Sequence, residues 1–278
     1  MAGDVGFAER IVTQMAEAPG VPILHEYGPR LRIARQIGPA AEAPASMLEV
    51  ASMSEAERLG YSAYELRQSE AYLQAKRERP REGQSWGQEG PGHAHSLHRE
   101  RGEGGLVPRT PGAMAEAAPT SERLAGRIAV GLILVSGTTP ALTLSQAEQI
   151  KVAAEVQNGL SWLGAQSPAQ DVTWVHDSKA VTVNVPDVTS GSTYEAFEKP
   201  WRDAALRKLG FPSGHNGLRK YVNSLRNQLG TDRVYCALFT KYRLFHFAYA
   251  DMGGPHLVMH YDCDGWGTEN IDRVFAHE

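Results

Sequence analysis

Along the second half of the chain, runs of apolar residues change period from two to 3.6 and back, which predicts alternating strands and helices. Residues 128–135 (IAVGLILV) are apolar without interruption, the pattern of a strand buried on both faces. Ser145 and Glu148 form a capping-box pair ahead of Ile150, Ala153, Val156, Leu160 and Leu163, which share one helical face. Residues 172–175 and 180–185 read as a strand pair turning at Asp177-Ser178-Lys179. A helix holds Trp201, Ala205, Leu206 and Leu209, with Pro200 near its first turn. The next holds Leu218, Tyr221, Val222, Leu225 and Leu229 and stops at Gly230. Strands follow at 234–239, 245–249 and 257–261, then a glycine-punctuated loop and a last helix from about Asn270.

The first half is patterned differently. Residues 1–79 read as a small region of short helices joined by loops, the first around Ala8, Ile11, Val12 and Met15. Ser54 and Glu57 begin a second, carried through Tyr64, Leu66, Tyr72 and Leu73 with a break near Gly60, until Pro80 stops it. Residues 80–122 are rich in Gly, Pro, Arg, Glu and His. A segment with so few large apolar residues cannot offset the entropy of ordering it, and it reads as a disordered linker. Residues 123–278 then form the folded domain. The expected class is α+β, a mixed β-sheet with packed helices.

Composition narrows the function classes. A net charge of −4 argues against a chain that grips nucleic acid by its phosphates. Cys236 and Cys263 are the only cysteines, too few for a disulfide framework or a four-cysteine zinc knuckle. No apolar run approaches the ~18 residues that span a membrane, so no membrane partner is expected. The N-terminus has an acid where a secretory signal needs a basic end, so the chain as written reads as cytoplasmic.

The chemistry gathers at the C-terminus. Ile271, Val274 and Phe275 stripe a helix that carries no C-cap glycine, no basic last turn and no polar tail, and its final residue is an acid at the negative end of the dipole. The expectation is a chain cut short within that helix. Its last residues, His277-Glu278, match the first half of H-E-x-x-H, in which two His one turn apart bind zinc and the Glu is general base. The second His would fall beyond residue 278.

With these pieces in place, the order of elements resembles the upper subdomain of a zincin metallopeptidase of the matrixin or metzincin-like kind. The matching segments are RIAVGLILVSG (127–137), LSQAEQIKVAAEVQNGLSWL (144–163), VTWVHDSKAVTVNV (172–185), GGPHLVMHY (253–261) and NIDRVFAHE (270–278). The resemblance implies a zinc-dependent endopeptidase that hydrolyses peptide bonds with metal-activated water. His277 would be the first zinc ligand and Glu278 the general base. Residues 253–261, with Gly254, His256, Val258 and His260, would be the edge strand that pairs with a peptide or protein substrate. One imidazole does not hold zinc usefully, so the 278 residues alone should be an inactive fragment without bound zinc. Relatives of this kind are often secreted. Two alternatives stand beside it: a non-catalytic peptide-binding module with a zincin-like sheet, and an unrelated α+β domain in which VFAHE is coincidental.

Other motifs read as structural. His25-Glu26 has no His four residues on and is followed by Pro29. His256 and His260, near Cys263, lie about 13 Å apart on a strand, too far for one ion. Asp262-Cys-Asp264-Gly265 misses the spacing of a calcium loop and reads as a tight turn. His93, His95 and His98 read as solvated. Trp162, Trp174, Trp201, Tyr221 and Tyr235 are expected in the core, with Trp266 set apart by its place beside the last helix.

Overall fold

The computed structural model describes residues 9–12, 22–35, 50–84, 124–167, 171–251, 254, 256–263 and 265–278. Three short strands come first, β1 (Glu9–Val12), β2 (Ile23–Glu26) and β3 (Arg32–Arg35). Helices α1 (Glu55–Gln68) and α2 (Glu70–Arg77) lead to β4 (Arg127–Ser136), α3 (Gln146–Gln166) and β5 (Thr173–Thr182). Then come α4 (Tyr194–Lys208), α5 (Gly214–Leu229), β6 (Arg233–Thr240), β7 (Ala248–Ala250), β8 (His256–His260) and α6 (Ile271–His277).

All eight strands belong to one mixed sheet in the order β1-β3-β2-β5-β4-β6-β8-β7. The five central strands run parallel, and antiparallel strands close each end. The fold is mixed α+β, as expected. β4 shows why its residues are apolar on both sides. Ile128, Val130, Leu132 and Leu134 face one core with α3 and α6, whereas Ala129, Ile133 and Val135 face a second with α4 and α5.

Several local expectations give way to tertiary contacts. Residues 9–12 are a strand rather than a helix, because β1 pairs with β3 and Glu9 reaches the Arg67 guanidinium at 2.9 Å. The N-terminal region is therefore not a separate helical piece. β2 pairs directly with β5, and Ala63 of α1 packs into the same core as α3, so β1–β3 share one sheet, and α1 one core, with the elements from β4 onward. Gly60 does not break α1; a Cβ there would meet the Tyr27 ring at 2.6 Å. The break falls at Ser69, whose hydroxyl accepts from the Tyr72 N–H and starts α2. Asp177-Ser178-Lys179 makes no turn, since β5 pairs with β4 continuously from Thr173 to Thr182. Pro200 lies well inside α4, which begins six residues earlier with Thr193 as its cap. Trp162 faces solvent, while Trp174, Trp201 and Tyr221 are buried as expected. Of the expected linker, residues 80–84 form a turn and the remainder lies outside the described residues, as do His93, His95 and His98. No helix among the described residues is long and apolar enough to cross a membrane.

Candidate functional sites

The helix α6 carries the half-motif, and three sets of contacts place it. Ile271, Val274 and Phe275 are buried against α3. Gly159 of α3 allows the close approach, since a Cβ there would lie 2.7 Å from the Asp272 carbonyl oxygen. An ion network fixes the start of the helix: Lys76 bonds Glu155 and lies 3.0 Å from Asp272, and Asn158 donates to Asp272 at 2.7 Å. Burial would raise the Asp272 pKa, but Lys76 and Arg79 overcome it and hold the carboxyl below its usual range. Glu155 goes the other way, raised by burial and by the neighbouring Asp272.

His277 and Glu278 fall at the exposed end of α6. The Glu278 carboxylate accepts from the backbone N–H of Ala250 in β7, and burial raises its pKa despite that bond and despite His277. The helix end therefore meets the outermost strand of the sheet. Among the described residues, His277 is the only histidine or cysteine on α6, one metal donor where a catalytic zinc takes three. A single imidazole at the end of α6 does not fit a zinc ion, and no hydrolytic step is derived through one there.

The edge strand needs correction. β8 lies between β6 and β7, with Leu257, Val258 and Met259 each paired on both sides, so residues 256–260 are not the sheet edge. β7 is. Val258 is core. His260 turns to Asp262 at 2.6 Å and to the Lys241 carbonyl at 3.3 Å. Gly254 lies in the turn after β7, where its N–H bonds the Asp251 carbonyl at 3.0 Å.

His256 belongs to a second constellation. Its side chain is 2% exposed, and its Nδ1 has no hydrogen-bond partner among the described residues. That nitrogen faces the Asp251 carboxylate at 3.8 Å, and His215 Nδ1 faces the same carboxylate at 3.8 Å. The three side chains each offer a ligand atom within 4.8 Å of the other two. Their elements come together because the Asp251 N–H bonds the His256 carbonyl at 3.0 Å, closing the β7–β8 corner beside the start of α5. Around the cluster, α4 supplies carboxylates: Glu198 lies 3.6 Å from His256 Nε2, and Glu195 lies 3.8 Å from His215 Nε2. The fully buried Arg202 guanidinium pairs with both, at 2.9 Å to Glu195 and 2.6 Å to Glu198. Burial would raise the Glu198 pKa; His256, Tyr249 and Arg202 outweigh it and bring it down to about 2.

His256 and His260 turn to different partners, His256 toward Asp251 and Glu198 and His260 toward Asp262. The residues that join His256 escaped the sequence reading. His215 comes from another helix, and Asp251 lies five positions before His256 across a turn. No helix or strand period connects the three.

The remaining readings are structural. His25 is buried, with His176 Nε2 2.9 Å from its Nδ1 and Ser161 Oγ 2.8 Å from its Nε2. Ser161 donates onward to Glu9 at 2.7 Å. Trp266 is in the core beneath Arg81. Residues 261–263 turn tightly, and Cys236 and Cys263 are buried free thiols raised by burial.

The sheet and its two sites define a mixed α+β protein with a histidine-glutamate pair at one sheet edge and a histidine-aspartate-histidine group on the face that α4 and α5 cover. No protein-family model matches the chain, and no curated protein or solved structure is similar to it.

Proposed function

We propose that this chain carries the sheet, backing helix and opening half of the active-site helix of a zinc-dependent endopeptidase of the zincin kind. The observation that carries the reading is the contact between Glu278 and the Ala250 N–H. It puts the proposed general base against the open side of β7, where an extended peptide adding to the sheet would run. The succession of a strand (β4), a long helix (α3), further strands (β5, then β6, β7 and β8 after the inserted helices α4 and α5) and the histidine-bearing α6 supports it. The ligands that would follow His277 on its helix are not among these 278 residues, and the chain alone is expected to leave peptides intact.

The test is to read the coding sequence past codon 278 and express what it encodes. The expected product has a His four residues after His277, binds zinc on α6 and cleaves peptides, with cleavage lost in Glu278→Gln. A stop codon directly after codon 278 would end the peptidase reading.

One observation favours a second reading. β7 has no strand on its outer side among the described residues, so the sheet can accept a peptide strand without any metal. Saturable binding of an extended peptide by the 278-residue chain, unaffected by Glu278→Gln, would support a non-catalytic binding module.

A further inference from the structure

From His215, Asp251 and His256 we infer a zinc site distinct from α6, on the opposite face of the sheet. Val258, two positions from His256, belongs to the core formed with α4 and α5, whereas α6 packs in the core on the other side. The donors suit the ion. Two imidazoles and one carboxylate are a first-row transition-metal set, whereas magnesium and calcium take oxygen. Tetrahedral bonds of about 2.0–2.2 Å place the donors about 3.4 Å apart around an ion. The three donor atoms, within 4.8 Å of one another, therefore need to close by up to about 1.4 Å, which the exposed His215 and partly exposed Asp251 side chains can supply by rotation.

Two features separate this group from a chance cluster. The first is the buried His256 Nδ1, which faces the cluster and has no hydrogen-bond partner among the described residues. Burying a polar nitrogen unpaired is unfavourable, and a metal bond would satisfy it. The second is the outer layer. Each histidine directs Nδ1 toward Asp251 and Nε2 toward a glutamate. Metal-bound histidines characteristically have their second nitrogen held by a carboxylate, which fixes the ring and its tautomer. Glu195 and Glu198 are positioning residues in this sense, themselves held by Arg202.

Charge points the same way. Glu195, Glu198 and Asp203 gather around the guanidinium of Arg202, and Asp251 faces both rings, leaving a surplus of negative charge beside them. Access is open on one side: His215 is 56% exposed and Asp251 36%, so an ion can enter without unfolding. Gly254 belongs to the same design, since a Cβ there would collide with the Asp251 carboxylate. A bound ion would tie the start of α5 to the β7–β8 corner and so set the edge strand from behind.

The chain, stripped with chelator and dialysed, is titrated with zinc chloride by calorimetry, and with cobalt(II) to read the visible bands of a nitrogen-oxygen site. One zinc per chain at micromolar or tighter affinity is expected, with a rise in melting temperature. His215→Ala, at an exposed position that should not disturb folding, should weaken binding at least tenfold and abolish the cobalt bands. His256→Gln should do the same, and His277→Ala should leave both unchanged. No binding at millimolar zinc, unchanged affinity in His215→Ala, or loss of binding in His277→Ala would each overturn the site.

Discussion

His25 and His176 are fully enclosed imidazoles that touch each other, and Tyr27 stacks on His176 at 4.2 Å. Burial pushes both far below their ordinary pKa; Arg67 lowers His25 further, and His25 lowers His176. Both are neutral in the folded protein, while in the unfolded chain they titrate near 6.5. The unfolded state thus takes up more protons as pH falls below about 6.5. Stability should decline there by up to about 1.4 kcal/mol per pH unit for each histidine. Urea midpoints at pH 7.5 and 5.5 measure this, and His176→Gln should show a smaller drop; equal drops would contradict the neutral pair. The structural reading of His25-Glu26 came from what the motif lacked, namely a helix and a second His. What His25 does instead was hidden, because its partners His176 and Ser161 are more than 130 residues away in sequence. His215 was hidden by a gap of about 40 residues between α5 and β8, and Asp251 by a turn that no helix or strand period spans. That His277 and Glu278 end a helix was legible because the apolar stripe of Ile271, Val274 and Phe275 before them is local.

At the scale of elements, legibility follows how much of the pattern is local. β4 appears in the sequence because its apolar run is unbroken, and α3 and α5 because each carries an apolar stripe and a local cap, Ser145 for α3 and Gly230 for α5. β1–β3 do not, since four-residue strands leave too short a record and exist through pairing. β5 was split by its polar centre, whose pairing with β4 overrides the turn propensity of Asp177-Ser178-Lys179. The joint between α3 and α6 depends on one absent methyl. Gly159→Ala must move the Asp272 carbonyl or the helix that carries it. We expect a loss of about 1–3 kcal/mol in chemical denaturation. Amide exchange in α6 should quicken more than in α5, and uniform protection would argue against this joint as the anchor of the helix.

For the whole molecule, the decisive finding is that the sheet crosses the boundary expected at residues 79–123. β2 covers the flank of β5, and α1 covers α3. Removing residues 1–122 would bare that flank and the core side chains of α3. The isolated segment 123–278 is expected to lack a cooperative unfolding transition, although composition alone suggested a self-sufficient domain. A sharp calorimetric transition for that segment, close to that of the full chain, would show the N-terminal strands to be accessory.

The pairing of His25 with Trp174 also has a consequence in time. During synthesis β2 leaves the ribosome roughly 150 residues ahead of its partner, which at about 5–20 residues per second means about 8–30 seconds. For that interval β1, β2 and β3 can form only a small antiparallel sheet with one side unsatisfied. A sheet built by such distant parallel pairings also folds slowly once complete. The N-terminal strands, which the sequence pattern does not show, are thus the first to be made and among the last to be secured, and the nascent chain is most exposed to aggregation while it waits for β5.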